Sequence, residues 1–150
     1  MSRRSSQGKN KILLDTSFLL PILGFDTSDR VMRAFHKLSS YELYYNDVSI
    51  LEALWKIVKI VEGAEEQLLR IGEGIRAIRE TVKYASIDEE AIKNAIYMYK
   101  LGHKDMVDNL LYSIAVSKKL KLLTVDSDLI KFIEKHGLPK DNIVMPEELE

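Results

Sequence analysis

A chain of 150 residues, 46% hydrophobic and 30% charged, has room for one domain with a substantial core and the ordinary composition of a globular protein. Its formal charge of −1 excludes a broadly basic nucleic-acid binder, and the absence of cysteine excludes disulfides and thiolate metal sites. No apolar run approaches the roughly 18 residues of a membrane span; Asp15 and Pro21 break the apolar stretch behind the basic start, so no secretory leader is expected and a cytoplasmic location is.

Residues 1–10, MSRRSSQGKN, are polar, aperiodic and free of acids. They are expected to form a disordered basic tail, with one folded domain over 11–150. Lys11–Asp15 (KILLD) has the unalternating apolar character of a strand buried on both faces. Ser28 or Asp29 can cap a helix to about Leu38 with Val31, Ala34, Phe35 and Leu38 inward. Glu42–Asn46 reads as a second strand. Ser49 can open a helix with Leu51, Leu54, Trp55 and Val58 as its inner face. Residues 64–80 make a longer amphipathic helix with Leu68, Leu69, Ile71, Ile75 and Ile78 inward.

Val82–Ser86 is a third strand, and Asp88 caps a helix whose face is Ala91, Ile92, Ala95, Ile96 and Tyr99, stopped by Gly102. Asp105–Lys118 is a helix with Leu110, Leu111, Ile114 and Ala115 inward. Leu120–Val125 is a strand, Asp128–His136 a helix ended by Gly137 and Pro139, and Asn142–Val144 a last short strand. Strands alternating with helices give an α/β domain with a central, mainly parallel sheet flanked by helices.

Acids gather where such a sheet places functional groups, beyond the carboxyl ends of its strands. Asp15 follows the first strand. Asp126 follows LLTV, and Asp128 stands at the start of the next helix. Asp105, Asp108 and Tyr112 share one helical face, and Glu52 interrupts an apolar segment. Each has an ordinary alternative: a turn or helix cap, a favourable charge at a helix start, a surface acid. Their common location in the inferred architecture is what argues for a site. Carboxylates brought together must be protonated or neutralised by a cation, and an all-oxygen set selects Mg²⁺ or Mn²⁺.

The sequence resembles the PIN-domain ribonucleases, the group that includes VapC-type toxins, over essentially residues 11–145. ILLDTSFLLPIL resembles the opening strand of that family, SILEALWKI the segment carrying its second acid, and DMVDNLLYSIAVSKKLKLLTVDSDLIKF its helix, strand and acidic turn. Leu129 stands where the family often has Phe. The resemblance implies a metal-dependent endoribonuclease with Asp15, Glu52, Asp108 and Asp126 as catalytic metal ligands and Asp128 as an accessory one. Thr16, Ser17, Thr124 and Asp105 would orient them. It also implies RNA as substrate, a homodimer and, for a toxin rather than an RNA-processing enzyme, an antitoxin partner. Lys56, Lys59, Lys118 and Lys119 are candidate RNA contacts. His36, His103 and His136 are read as surface residues, His103 being the one close in sequence to the acids.

Two other enzyme classes place an Asp after a first strand. A haloacid-dehalogenase-type phosphatase needs a second Asp where Ser17 stands, and a receiver domain needs paired N-terminal acids that are absent. The main alternative is a PIN-like RNA-binding or assembly module with little or no cleavage.

Overall fold

The computed structural model describes residues 11–150; the expected N-terminal tail lies outside the described residues. Five strands form one all-parallel sheet in the order β3-β2-β1-β4-β5: β1 (Lys11–Leu14), β2 (Glu42–Tyr45), β3 (Lys83–Tyr84), β4 (Lys121–Leu123) and β5 (Ile143–Val144). The helices are α1 (Asp29–Phe35), α2 (Asp47–Ile57), α3 (Glu65–Thr81), α4 (Glu89–Leu101), α5 (Met106–Lys118) and α6 (Ser127–Lys135). The chain runs outward from β1 to β2 and β3, then returns to the other side of β1 for β4 and β5. The change of direction therefore falls between β1 and β4, where an open α/β sheet leaves a crevice at its carboxyl edge.

The apolar run of β1 is explained by its central place. Ile12 and Leu14 belong to the core on one face with Phe18, Leu23 and Ile50. Leu13 belongs to the core on the other, with Leu111, Tyr112 and Leu122. The expected inner face of 105–118 is largely found: Leu111, Ile114 and Ala115 are buried.

Three other helices depart in part or in full from their expected inner faces. In α2 the buried residues are Ser49, Ile50, Ala53 and Ile57, while Leu51, Trp55 and Val58 are exposed. The helix is apolar on more than one side, so periodicity alone allowed two phases. The one adopted lets Glu52 reach Thr16. In α3, Ile78 is buried and Ile71 and Ile75 pack on the core as expected, with Gly74 buried beside them, whereas Leu68 and Leu69 are exposed. In α4, Ala91, Ala95 and Met98 face inward, leaving Ile92, Ile96 and Tyr99 outside. Small residues hold the inner positions of α4 because it packs closely on α5, where Asn94 Nδ2 donates to Ser113 Oγ at 2.9 Å. Among the described residues no helix is long and apolar enough to cross a membrane.

Candidate metal centre

Parallel pairing of Leu14 with Leu123 sets the ends of β1 and β4 side by side. Asp15 follows β1, and its N–H donates to the Leu123 carbonyl at 3.3 Å. Its Oδ1 accepts the Thr16 N–H at 2.7 Å, capping the 3-10 turn Thr16–Phe18. Thr124 follows β4 and joins the two strand ends. Its Oγ1 donates to Asp15 Oδ2 at 3.2 Å and accepts the Asp126 N–H at 3.0 Å.

Asp126 Oδ1 accepts the N–H groups of Asp128 and Leu129 at 2.9 and 3.2 Å. Asp126 is thus the N-cap of α6, the role expected of Asp128. The cap falls on the residue that leaves the strand in extended conformation, because a helix's own first residues cannot accept from its orphan N–H groups in this way. Asp128 itself is exposed.

Two helices complete the set. From α2, Glu52 accepts the Thr16 hydroxyl on Oε1 at 2.6 Å. From α5 comes Asp108, only 6% exposed, with its N–H donated to Oδ1 of Asp105, the cap of that helix, at 3.2 Å. Asp105, Asp108 and Asp126 each present an oxygen within 4.8 Å of the others. Asp105 therefore stands with the acids rather than behind them. Asp15, Thr16, Ser17, Glu52, Lys56, Asp105, Asp108, Val125 and Asp126 line one cavity of about 270 Å³.

The electrostatics follow from this crowding. Burial, aided by the Glu52 charge, raises the Asp15 pKa to about 6 against the pull of its hydrogen bonds and of Lys56. Burial also drives Asp108 well above the usual carboxylate range, with its hydrogen bond to Asp126 and the charges of Asp15, Asp105 and Asp126 adding to the rise. Asp126 is held low, first by that same hydrogen bond and then by the Leu129 and Asp128 N–H groups. Without a cation, Asp108 favours its protonated form and Asp126 its charged one. Oxygen-only donors, three of them close together, with two acids of the cavity raised in pKa, fit a hard divalent ion.

Among the candidate RNA contacts, Lys56 lines the cavity one helical turn after Glu52, and Lys59 follows on the exposed turn behind α2. Lys118 and Lys119 do not belong with them. They end α5, whose first turn carries Asp108, so they lie roughly 15 Å from it along the helix, at the amino edge of the sheet. Lys118 is 3.8 Å from Asp88 there. Two residues missed by the sequence reading are close to the acids. The charge of His103 helps to hold Asp126 down, and buried Asn109 binds His103 through both ends of its amide. Their only sequence signal was proximity to Asp105 and Asp108.

Solved structures with this fold include FitAcB from Neisseria gonorrhoeae, 16% identical over 92% of this chain and 99% of that one, with a TM-score of 0.62. A toxin-antitoxin complex from Klebsiella pneumoniae is 17% identical over 90% and 97% of the two chains, with a TM-score of 0.57. VapBC2 from Rickettsia felis bound to a promoter DNA fragment is 11% identical over 90% and 96%, with a TM-score of 0.59. At such identities the likeness is one of fold. No curated protein sequence gives a significant match. The family model for the PIN domain matches residues 12–135, which is most of the described chain, and the chain belongs to the PIN domain family.

Proposed function

We propose that this protein is a Mg²⁺- or Mn²⁺-dependent endoribonuclease that hydrolyses RNA phosphodiester bonds in the cavity at the carboxyl ends of β1 and β4. PIN domains are generally nucleases, and the observation that carries the reading here is the set of five acids around one cavity, two of them with raised pKa. Asp105, Asp108 and Asp126 are the residues to hold one ion directly, with Asp15 and Glu52 across the cavity. A divalent cation in such a place supplies charge to a phosphodiester and makes water a stronger nucleophile.

The chain's own groups do the rest. Thr16 fixes the Glu52 carboxylate and Thr124 fixes Asp15, so that neither must be reoriented when substrate arrives. Asp108 gives up its proton on loading. Lys56 lines the same cavity and meets a substrate phosphate from the α2 side. Lys59 extends that side along the strand. Asp128, exposed in the first turn of α6, adds negative charge rather than a ligand.

The solved structures of similar fold include toxin-antitoxin complexes, and the toxin of such a pair is the role we favour. The exposed apolar faces of α2 and α3 (Leu51, Trp55, Leu68, Leu69) and of α4 (Ile92, Ile96, Tyr97) give room for an antitoxin and for a second copy of the chain.

The test is cleavage of a pooled single-stranded RNA by wild-type protein and by Asp126→Asn, in Mn²⁺ and in EDTA. Cleavage by wild type with Mn²⁺ alone is expected. A folded wild type that binds no Mn²⁺ and leaves the RNA intact would instead favour a PIN-like binding or assembly module.

A further inference from the structure

We propose that Trp55 is a base-stacking platform at the rim of the acidic cavity, against which one unpaired base of the bound strand lies while a neighbouring phosphate is in the cavity. This rests on the nuclease reading above, which puts the strand there, and adds a base contact to it.

α2 carries two of the residues that line the cavity, Glu52 and Lys56, four apart and so on one side of the helix. Its buried residues are Ser49, Ile50, Ala53 and Ile57. At about 100° per residue, Trp55 lies about 60° round the helix from Glu52 and roughly opposite the middle of the buried side. It is 57% exposed. Helical side chains lean toward the N-terminus, so the indole is directed over the turn of Leu51 and Glu52. Trp55 does not line the cavity; it stands beside it, one residue from Lys56 and three from Glu52.

The charges around the indole suit a polyanion. Lys56 follows it and Lys59 lies one turn beyond, both exposed. Among the described residues neither lysine is in an ion pair. The acids of the same helix are engaged elsewhere: Asp47 with Arg79 at 2.9 Å, and Glu52 with the Thr16 hydroxyl. The exposed Leu69 of α3 is placed differently. Glu65, Glu66 and Glu73, all exposed, hold the neighbouring helical positions there, and they repel a nucleic-acid strand.

An acidic cavity of about 270 Å³ takes the phosphate that its ion attracts and leaves the bases outside. Bases next to the cut must then lie on the rim or in water. Every base offers a π face, and an aromatic ring with lysines beside it holds that face and the backbone together. The indole supplies a large, rigid face at little cost in conformational entropy. A protein partner seated on α2 covers the same ring, so it and the strand compete.

The test is binding of a dye-labelled single-stranded RNA of about ten nucleotides, within the range of single-strand site sizes, and of an abasic ribose-phosphate strand of the same length and charge. Both are read by anisotropy with Asp126→Asn in Mn²⁺, so that binding is measured without cleavage. The base-bearing strand should bind about tenfold tighter, the effect of one stacked base, and should quench the emission of Trp55, the single tryptophan. Adding Trp55→Ala should bring the two strands within about twofold of each other, and Trp55→Phe should restore part of the difference. Lys59→Ala should weaken both strands alike. An unchanged melting temperature of the Trp55 variants checks that α2 is intact. No binding, equal binding of the two strands, or a tenfold preference kept by Trp55→Ala overturns the platform and leaves the nuclease reading to its own cleavage test. An indole already shielded from iodide in RNA-free protein also overturns it, and puts a second copy on α2. If the Trp55-dependent preference is found but wild type cleaves no RNA with Mn²⁺, the nuclease reading falls and the platform stands.

Discussion

Thr16 Oγ1 donates to Glu52 Oε1 at 2.6 Å across 36 positions of sequence, and the backbone N–H of the same residue donates to Asp15 Oδ1. One residue therefore ties the acid at the end of β1 to the acid of α2. Its hydroxyl is buried, so it holds Glu52 in place before any ligand arrives.

Replacing Thr16 with Val keeps the shape and removes the hydroxyl. Mn²⁺ affinity should fall by about tenfold or more, the usual effect of losing an outer partner of a ligand. The fold should change little, since Glu52 is only partly buried and can turn to water. A Mn²⁺ titration with a thermal melt of the same sample checks both. A melt lowered in proportion to the lost affinity would make Thr16 a packing residue instead.

The raised acids make the metal-free protein sensitive to pH in a stated direction. Asp15 titrates at about 6 when folded against 3.8 as a free side chain. A folded pKa above the unfolded one favours the protonated folded state, so its contribution is complete below about pH 4 and is lost as pH rises through 6. That difference corresponds to roughly 3 kcal/mol. Asp108 extends the loss to higher pH. Asp126, held low, has the opposite sign but acts below its ordinary value near 3.8, outside that window. In EDTA the melting temperature should fall from pH 5 to pH 8, and Mn²⁺ should reverse the fall. Asp108→Asn should melt higher than wild type at pH 8 in EDTA while losing cleavage, because wild type must take up a proton at Asp108 to fold at that pH and the amide need not.

The chain order of elements was legible in the sequence because the central strands β1 and β4 are short, apolar and soon followed by a capping Asp. Asp15 and Asp126 could be placed at strand ends for that reason. The rotation of the helices was not legible. Leu51, Leu54, Trp55 and Val58 make a convincing inner face, and so do Ile50, Ala53 and Ile57. Nothing local chooses between them; the bond from Thr16 to Glu52 does, and it joins residues 36 apart in sequence. The same limit hid Asn109, whose burial and grip on His103 depend on the turn closing over α5. It also misplaced Lys118 and Lys119, since a run of lysines carries no mark of which end of the sheet it will reach.

Trp55, the single tryptophan of the sequence, is 57% exposed on the helix that carries Glu52 and Lys56. In a dilute monomer its fluorescence should be that of a solvated indole and quenched readily by iodide. Cover of the α2–α3 face by a partner or a second copy should shift the emission to shorter wavelength and protect it. A dilution series read by emission and by sedimentation locates a self-association on this face if the two change together. If the protein dimerises with no change in Trp55, the α4 face around Ile96 is the contact.

Two glycines of α3 make opposite predictions from one helix. A methyl group at Gly72 would meet nothing within 4 Å, whereas at Gly74 it would come within 2.5 Å of the Ile22 carbonyl oxygen and 2.9 Å of Leu23 Cα. Gly74 is what lets α3 lie against the backbone of the turn that follows β1. Alanine at position 72 should therefore stabilise the protein by up to about 1 kcal/mol, the difference in helix propensity. At position 74 the same gain is overwhelmed, because backbone rather than a flexible side chain must move, and a net loss of about 1–3 kcal/mol is expected. Because that turn begins at Thr16, the loss should also reach Glu52 and lower Mn²⁺ affinity in Gly74→Ala but not in Gly72→Ala. Urea unfolding of the two variants, each with and without Mn²⁺, measures both effects, and equal stabilities would mean that α3 does not rest on this turn.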